Sequence, residues 1–248
     1  YTYTVDEALV PGYTKDIDSE TGKITNTRDT AEDVPVSKEW VNTTGEDNPT
    51  EVTAQLLRNG LVYKTEKLNA ANQWAHTFTN LPKTDLLGNA YTYTVDEALV
   101  PGYTKDIDPE TGKITNTIIS TTAAISGTKT LEGRTGDFSD TFRFTLDGGS
   151  EQALTFTANT TQSFSFPTIT YVLADLEGEL EKAFTYMVEE LDDGIPGIVY
   201  DPSLARTVTV TVTDNQDGTM SAVAAPESVD FTNLYEASGE FDIDTEIG

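Results

Sequence analysis

The chain has 248 residues, enough for two or three small domains, and 37% of them are apolar. Its 42 acidic against 15 basic residues give a formal net charge of −27, which disfavours binding to nucleic acid phosphates or anionic lipid surfaces. The sequence contains no cysteine, which excludes disulfides and thiolate metal sites, and no apolar run is long enough to cross a membrane.

The first feature in chain order is a segment that occurs twice. Residues 1–27 read YTYTVDEALVPGYTKDIDSETGKITNT, and residues 91–117 repeat them with one difference, Ser19 against Pro109. This spacing indicates a tandem array with a unit of about 90 residues. We therefore expect 1–28 to be the C-terminal strands of a truncated repeat without sheet partners, 29–118 to be a complete unit, 119–236 to be a second, different unit, and 237–248 to lead into a following domain.

Short stretches such as YTYTVDE, FRFTL and TVTVTVTD alternate apolar and polar residues, and turn sequences such as RNG, PETG and DNQDGT separate them. A period of two is typical of β-strands, and no segment has a long helical period. The predicted fold class is all-β, with tandem immunoglobulin-like β-sandwich domains.

The same alternation predicts polar side chains on the apolar face of particular strands. Each complete unit has an inward Lys on its first strand, an inward Glu on a late strand and an inward Asn on its last strand. The six residues are Lys38, Glu97 and Asn116, and then Lys129, Glu190 and Asn233. In the truncated copy Glu7 and Asn26 match, but their lysine would precede residue 1.

Such a triplet could react in a dry interior. Burial favours the neutral forms of a lysine and a glutamic acid, because an unpaired buried charge is costly. A neutral amine is a nucleophile, and a protonated Glu can polarise the Asn carboxamide and carry protons to the leaving nitrogen. The product would be a Lys–Asn side-chain amide and one ammonia. The alternative is a buried Lys–Glu ion pair that the Asn hydrogen-bonds.

Residues 29–118 resemble the Cna B-type domain of Gram-positive surface proteins, through VSKEW, FTNLPKTDLLGNAYTYTVDE, VPGYT and ITNT. Residues 119–236 resemble the isopeptide-linkage domain of streptococcal-type pilins, through GTKTLEGR, FRFTL, FTYMVEE, GIVYD and VDFTNLY. The resemblance implies spontaneous Lys–Asn isopeptide bonds, Lys38–Asn116 and Lys129–Asn233, promoted by Glu97 and Glu190.

The leading hypothesis is a structural stalk segment of a cell-surface adhesin or pilus-like protein, not a turnover enzyme, that needs no cofactor or metal. Its partners would be the neighbouring domains of the same chain. It would be extracellular and anchored to the cell wall through other parts of its parent protein. A second hypothesis is an adhesin module that binds a host matrix protein or glycan, and a third is an accessory β-sandwich of a secreted glycosidase.

Overall fold

The computed structural model describes residues 1–42, 44 and 48–236. The predicted lead-in at 237–248 lies outside the described residues. The chain divides into two compact units, one from Tyr1 to Ile118 and one from Ile119 onward. In the part of the chain that the structure describes, the regular secondary structure is almost all β-strand, with two short 3-10 helices at Ala70–Asn72 and Leu173–Leu176. The prediction of an all-β fold is therefore confirmed.

The part of the first unit that the structure describes forms nine strands. They are β1 (Tyr13–Ile17), β2 (Ile24–Arg28), β3 (Val34–Val41), β4 (Glu51–Arg58), β5 (Leu61–Asn69), β6 (Ala75–Phe78), β7 (Tyr93–Glu97), β8 (Tyr103–Ile107) and β9 (Lys113–Ile118).

Strands β3 to β9 form the two sheets of an immunoglobulin-like sandwich. One sheet has the order β6-β3-β9-β8 and the other the order β5-β4-β7. Strands β3 and β9, the first and the last of the sandwich, are direct neighbours and run parallel. The apolar faces meet in a core that includes Val36, Leu56, Phe78 and Ile114. The parallel pair is what brings residues far apart in sequence to the same place.

The truncated copy forms the hairpin β1-β2, whose two strands pair only with each other among the described residues. Its register matches that of β8 and β9 in the complete unit. Tyr3 and Val5, whose counterparts lie in β7, are exposed, and so is Tyr1. The hairpin therefore keeps the pairing of the complete repeat, although no further strand of the described residues joins it.

The described residues of the second unit, 119–236, form eleven strands. They are β10 (Ser120–Ala123), β11 (Ser126–Glu132), β12 (Asp140–Leu146), β13 (Ser150–Phe156), β14 (Thr161–Ser165), β15 (Ile169–Val172), β16 (Glu181–Glu190), β17 (Ile198–Val199), β18 (Ala205–Asp214), β19 (Met220–Ala225) and β20 (Val229–Tyr235).

Two main sheets enclose the core of the second unit. Their orders are β14-β11-β20-β17 and β13-β12-β16-β18-β19, and β10 pairs with β15 beside them. Strands β11 and β20 again form a parallel pair of an early and a last strand. The core between the sheets is rich in phenylalanine, with Phe142, Phe144, Phe156 and Phe231 fully buried. The two units therefore share one topological feature despite different strand numbers.

Candidate functional site

The first unit brings Lys38, Glu97 and Asn116 together in its interior. Lys38 lies in the middle of β3, Glu97 is the last residue of β7, and Asn116 lies on β9. The side chains of Lys38 and Glu97 are 0% and 1% exposed, and Asn116 is buried as well. All three sequence-predicted residues of this unit therefore occupy one buried cluster that spans both sheets.

Glu97 is the central group of this cluster. The Asn116 Nδ2 donates a hydrogen bond to Glu97 Oε2 at 2.7 Å, and the Lys38 Nζ lies 3.8 Å from Glu97 Oε1. The amine also donates to the Glu39 backbone oxygen at 3.0 Å and lies 4.1 Å from the ring centroid of Trp40. The acid thus contacts both the amine and the carboxamide that the proposed reaction would join.

Burial shifts the pKa of both ionisable groups toward neutrality. Loss of solvation lowers the pKa of Lys38 to about 8, against an opposing attraction from Glu97. Loss of solvation also raises the pKa of Glu97, although the hydrogen bond from Asn116 and the charge of Lys38 oppose the rise. At neutral pH a useful fraction of the amine is therefore unprotonated, while the acid is more readily protonated than in water.

A second lysine holds the end of β7. Lys105, on β8, donates from its Nζ to the backbone oxygen of Glu97 at 2.9 Å and forms an ion pair with Asp96. The contact to the backbone of Glu97 fixes where that side chain begins, and the charge of Lys105 also opposes the rise in the pKa of Glu97. We call Lys105 and Asp96 the strand-end clamp. The sequence reasoning missed it, although the repeat of KDID after YTVDE is its signal.

The second unit brings Lys129, Glu190 and Asn233 together in the same way. Lys129 lies on β11, Glu190 ends β16, and Asn233 lies on β20. The Lys129 Nζ is 2.7 Å from Glu190 Oε1, and the side chains of both residues are 0% exposed. The Asn233 Nδ2 donates to the same Oε1 at 2.8 Å. Glu190 is again the central group, in closer contact with its lysine than Glu97 is.

Burial also dominates the ionisation of the second cluster. It lowers the pKa of Lys129 and raises the pKa of Glu190, and their mutual contact opposes both shifts. The nearby Asp201 carboxylate raises the pKa of Glu190 further. The adjacent Glu189 is part-exposed and lies outside the cluster, so the predicted choice between neighbouring glutamates agrees with the geometry.

The carboxamide oxygen of Asn233 has a partner of its own. The backbone N–H of Asp201 donates to Asn233 Oδ1 at 2.8 Å. By contrast, Asn116 Oδ1 in the first unit is buried and has no hydrogen-bond partner among the described residues. The sequence reasoning did not identify Asp201, because a backbone donor leaves no mark on the residue pattern.

Both clusters use the same strand register. In the first unit Lys38 pairs with Ile114 across the parallel strands, and Asn116 is two residues further on. In the second unit Lys129 pairs with Phe231, and Asn233 is two residues further on. An offset of two keeps the Lys and the Asn on the same face of neighbouring strands.

The truncated copy retains the acid and the amide without the lysine. The Asn26 Nδ2 donates to Glu7 Oε2 at 2.8 Å, and the Lys15 Nζ donates to the Glu7 backbone oxygen at 2.8 Å. These contacts repeat those of Asn116 and Lys105, but here they are solvent-exposed. The Glu–Asn contact and the lysine contact to the backbone of the Glu therefore form within the repeated segment itself, without the sandwich.

The described residues contain no group of three or more His, Cys, Asp or Glu side chains placed to hold a metal ion. Across the same part of the chain, no helix has the length and apolar character of a membrane span.

Comparison with known proteins supports the sequence resemblances. The family model of the Cna protein B-type domain matches residues 1–27 and 34–117. The model of the Spy0128-like isopeptide containing domain matches residues 125–236. A collagen adhesin of Staphylococcus aureus is 36% identical over 140 residues, which are 53% of this chain and 12% of the adhesin. The chain therefore corresponds to a small part of that relative.

Among solved structures, two B repeat units of the collagen binding protein of Staphylococcus aureus share 25% identity, with 92% of this chain and 57% of that chain covered and a TM-score of 0.36. A minor pilin of Streptococcus agalactiae shares 11% identity, with 85% and 99% covered and a TM-score of 0.25. The identification rests on the family matches rather than on these structural similarities.

Both families are structural domains of adhesins and pilins rather than enzymes, and they occur in extracellular proteins associated with the cell wall. The chain therefore belongs to the Cna protein B-type domain family over residues 1–27 and 34–117 and to the Spy0128-like isopeptide containing domain family over residues 125–236, and these domains are those of a Gram-positive surface or pilus protein.

Proposed function

We propose that this chain is a load-bearing stalk segment in which each complete unit closes an isopeptide bond between its own side chains. Lys38 would join Asn116 and Lys129 would join Asn233, with Glu97 and Glu190 as the promoting acids. The observation that carries the proposal is the buried Lys–Glu–Asn cluster, which recurs at the same strand register in two units of different strand number.

The reaction needs only groups that each cluster contains. The neutral amine nitrogen attacks the Asn side-chain carbon, and a new C–N bond forms. The Glu carboxyl group carries a proton from the amine to the carboxamide nitrogen, which leaves as ammonia. Placing the three groups in contact supplies about 7–11 kcal/mol of the barrier through proximity alone. A single turnover per molecule completes the process, so the rate need not be high.

The bond would alter the response of the chain to pulling. Lys38 and Asn116 are 78 positions apart (116 − 38), and Lys129 and Asn233 are 104 apart (233 − 129). Each bond would join strands that are already neighbours, β3 to β9 and β11 to β20. Tension along the chain would then pass through these bonds and bypass most of each sandwich, which would supply toughness to a protein without cysteine.

The rival interpretation is a permanent ion pair with a hydrogen-bonded Asn. It accounts for each cluster alone, but buried ion pairs are often no more stabilising than apolar residues of similar size. It also gives no reason for two dissimilar units to place the Asn at the same offset from the Lys.

Binding of a host matrix protein or glycan remains a hypothesis about the parent protein. The named collagen adhesin is matched over only 12% of its length. Within this chain, Trp40 packs against Lys38 and lies 5.6 Å from Trp74 and 5.0 Å from Tyr103, measured between ring centroids. These aromatic contacts assign Trp40 to packing, so no observation here favours a ligand site over a stalk.

The decisive experiment is the intact mass of the purified chain under denaturing conditions. We expect the wild-type mass to fall short of the sequence mass by two ammonia molecules. Glu97→Ala and Glu190→Ala should each restore one ammonia, and Glu189→Ala, the matched control beside Glu190, should restore none. A wild-type chain that has its full sequence mass would refute the proposal.

A further inference from the structure

We propose that the backbone N–H of Asp201 acts as an oxyanion donor in the second unit, polarising the Asn233 carboxamide that Lys129 attacks. This inference rests on the proposed function and deepens it. It starts from the 2.8 Å contact between the Asp201 nitrogen and Asn233 Oδ1, which has no equivalent at Asn116 among the described residues.

The chemistry of the step creates a need for such a donor. When the Lys129 nitrogen bonds to the Asn233 side-chain carbon, the carbonyl electron pair moves to Oδ1 and negative charge develops there. Collapse of this intermediate restores the carbonyl and expels the Asn233 nitrogen as ammonia, with its proton delivered through Glu190. A donor already aimed at Oδ1 stabilises the developing charge without reorganisation, and in a buried site it acts strongly.

Local strand geometry explains why a backbone donor is available there. The short strand β17 pairs Ile198 with Tyr235 and Val199 with Leu234, and then the pairing ends. Beyond Val199, the N–H of Asp201 donates to the side-chain oxygen of Asn233 instead of to a backbone oxygen of β20. In return, the backbone N–H of Thr232 donates to the carboxylate of Asp201 at 3.0 Å. Asp201 and β20 thus hold each other through two reciprocal hydrogen bonds.

The Asp201 carboxylate is itself fixed from two further directions. Its Oδ1 accepts hydrogen bonds from the Ser203 backbone N–H at 3.0 Å and from Arg206 Nη2 at 2.9 Å. The Asp201 side chain is only 11% exposed. With its carboxylate bound to three groups, the residue cannot easily rotate its N–H away from Asn233. We infer that the Asp201 side chain and Arg206 are positioning groups for the donor.

Two substitutions at position 201 separate positioning from charge. Asp201→Asn and Asp201→Ala both remove the carboxylate charge, but only Asn keeps an oxygen that can accept the Thr232 N–H. A third variant, Asp201→Pro, removes the N–H itself. Because residue 201 already precedes Pro202, its backbone is restricted to extended conformations, which a proline can approach.

The assay is the rate of ammonia loss in the full-length chain. The chain is synthesised in a cell-free system, samples are quenched in denaturant, and linked and unlinked peptides are quantified by mass after proteolysis. The Lys38–Asn116 bond in the same molecules serves as the internal reference. Melting of each variant in a Glu190→Ala background, where the second bond cannot form, reports folding independently of cross-linking.

We expect Asp201→Ala to form the Lys129–Asn233 bond about tenfold more slowly than Asp201→Asn, the effect of one hydrogen bond. Asp201→Pro should be slower than Asp201→Ala, and slower than wild type by about 100-fold or more. The pH midpoint of the rate should agree between the Asn and Ala variants, since both lack the charge. A purely structural disturbance would expose Lys129 and Glu190 and shift that midpoint.

Failure of this inference differs from failure of the proposed function. If the wild type links Lys129 to Asn233 and the Asn, Ala and Pro variants all do so at equal rates, Asp201 is not a donor and the stalk proposal stands. If Asp201→Pro does not fold, equal rates for wild type and the Asn and Ala variants overturn the inference, because they show that releasing the held N–H does not slow the attack on Asn233. If the wild type forms no bond at all, the proposed function itself is wrong, and the inference falls with it.

Discussion

Removing the amide of the first cross-link should cost the first unit several kcal/mol of stability. The bond between Lys38 and Asn116 would close a loop of 78 positions, and such a closure contributes about 4.5 kcal/mol by restricting the unfolded chain. Asn116→Ala forfeits this contribution. It also loses the 2.7 Å hydrogen bond to Glu97, worth about 1 kcal/mol. The expected loss in free energy of unfolding is therefore about 5–6 kcal/mol.

The sequence provides both the probe and the control for this measurement. The two tryptophans, Trp40 and Trp74, both lie in the first unit, so tryptophan fluorescence follows the unfolding of that unit alone. With a slope of about 3 kcal/mol per molar guanidinium chloride, the midpoint should fall by roughly 2 M. Asn26→Ala changes the same amide in the truncated copy, which has no lysine, and should leave the transition where it is.

A smaller effect would contradict the reasoning. If Asn116→Ala lowers the free energy of unfolding of the first unit by only about 1 kcal/mol, the residue contributes one hydrogen bond and no cross-link. Glu97→Gln provides a second route to the unlinked state with Asn116 intact. The two variants should share the loss from loop closure, so a large effect of one alone would also count against the bond.

Two further predictions concern the first cluster. The first uses Asn116→Ala, which cannot cross-link. Its free energy of unfolding should fall as the pH rises from 4.5 through the raised pKa of Glu97, because in that range the folded state binds more protons than the unfolded state. The free energy of unfolding should then rise between about pH 8 and 10.5, because there the unfolded state retains the proton on Lys38 that the folded state has lost. A flat profile of guanidinium midpoints in these two windows would show that neither group changes its pKa on folding. Lys105→Met removes the strand-end clamp on Glu97 and should slow formation of the Lys38–Asn116 bond, measured by peptide mass, by about tenfold for one lost hydrogen bond to a backbone oxygen. As an internal control, the Lys129–Asn233 bond in the same molecules should form at the wild-type rate. If the Lys38–Asn116 bond forms equally fast in wild type and in Lys105→Met, the strand-end clamp does not contribute to the reaction.

The amino-acid sequence alone determined the class of fold and the composition of both clusters. Alternation of period two assigns each strand residue to one face, because successive side chains of a strand point to opposite sides. That rule was enough to place Lys38, Glu97 and Asn116 inward, and to choose Glu190 over Glu189. The family resemblances, carried by motifs such as VSKEW and VDFTNLY, were confirmed by the family matches.

Only the tertiary structure decided which inward groups touch. Facing the same interior does not fix a distance, and the contacts depend on the parallel pairing of β3 with β9 and of β11 with β20. In these two pairs the register joins residues that are 76 (114 − 38) and 102 (231 − 129) positions apart. The N–H of Asp201 could not be read from the pattern either, since it is a backbone group beyond a strand end. The repeated KDID marks Lys105, but it does not show that the amine binds a backbone oxygen. Residue periodicity records where side chains point, whereas backbone groups become available only where the folded sheets leave them unpaired.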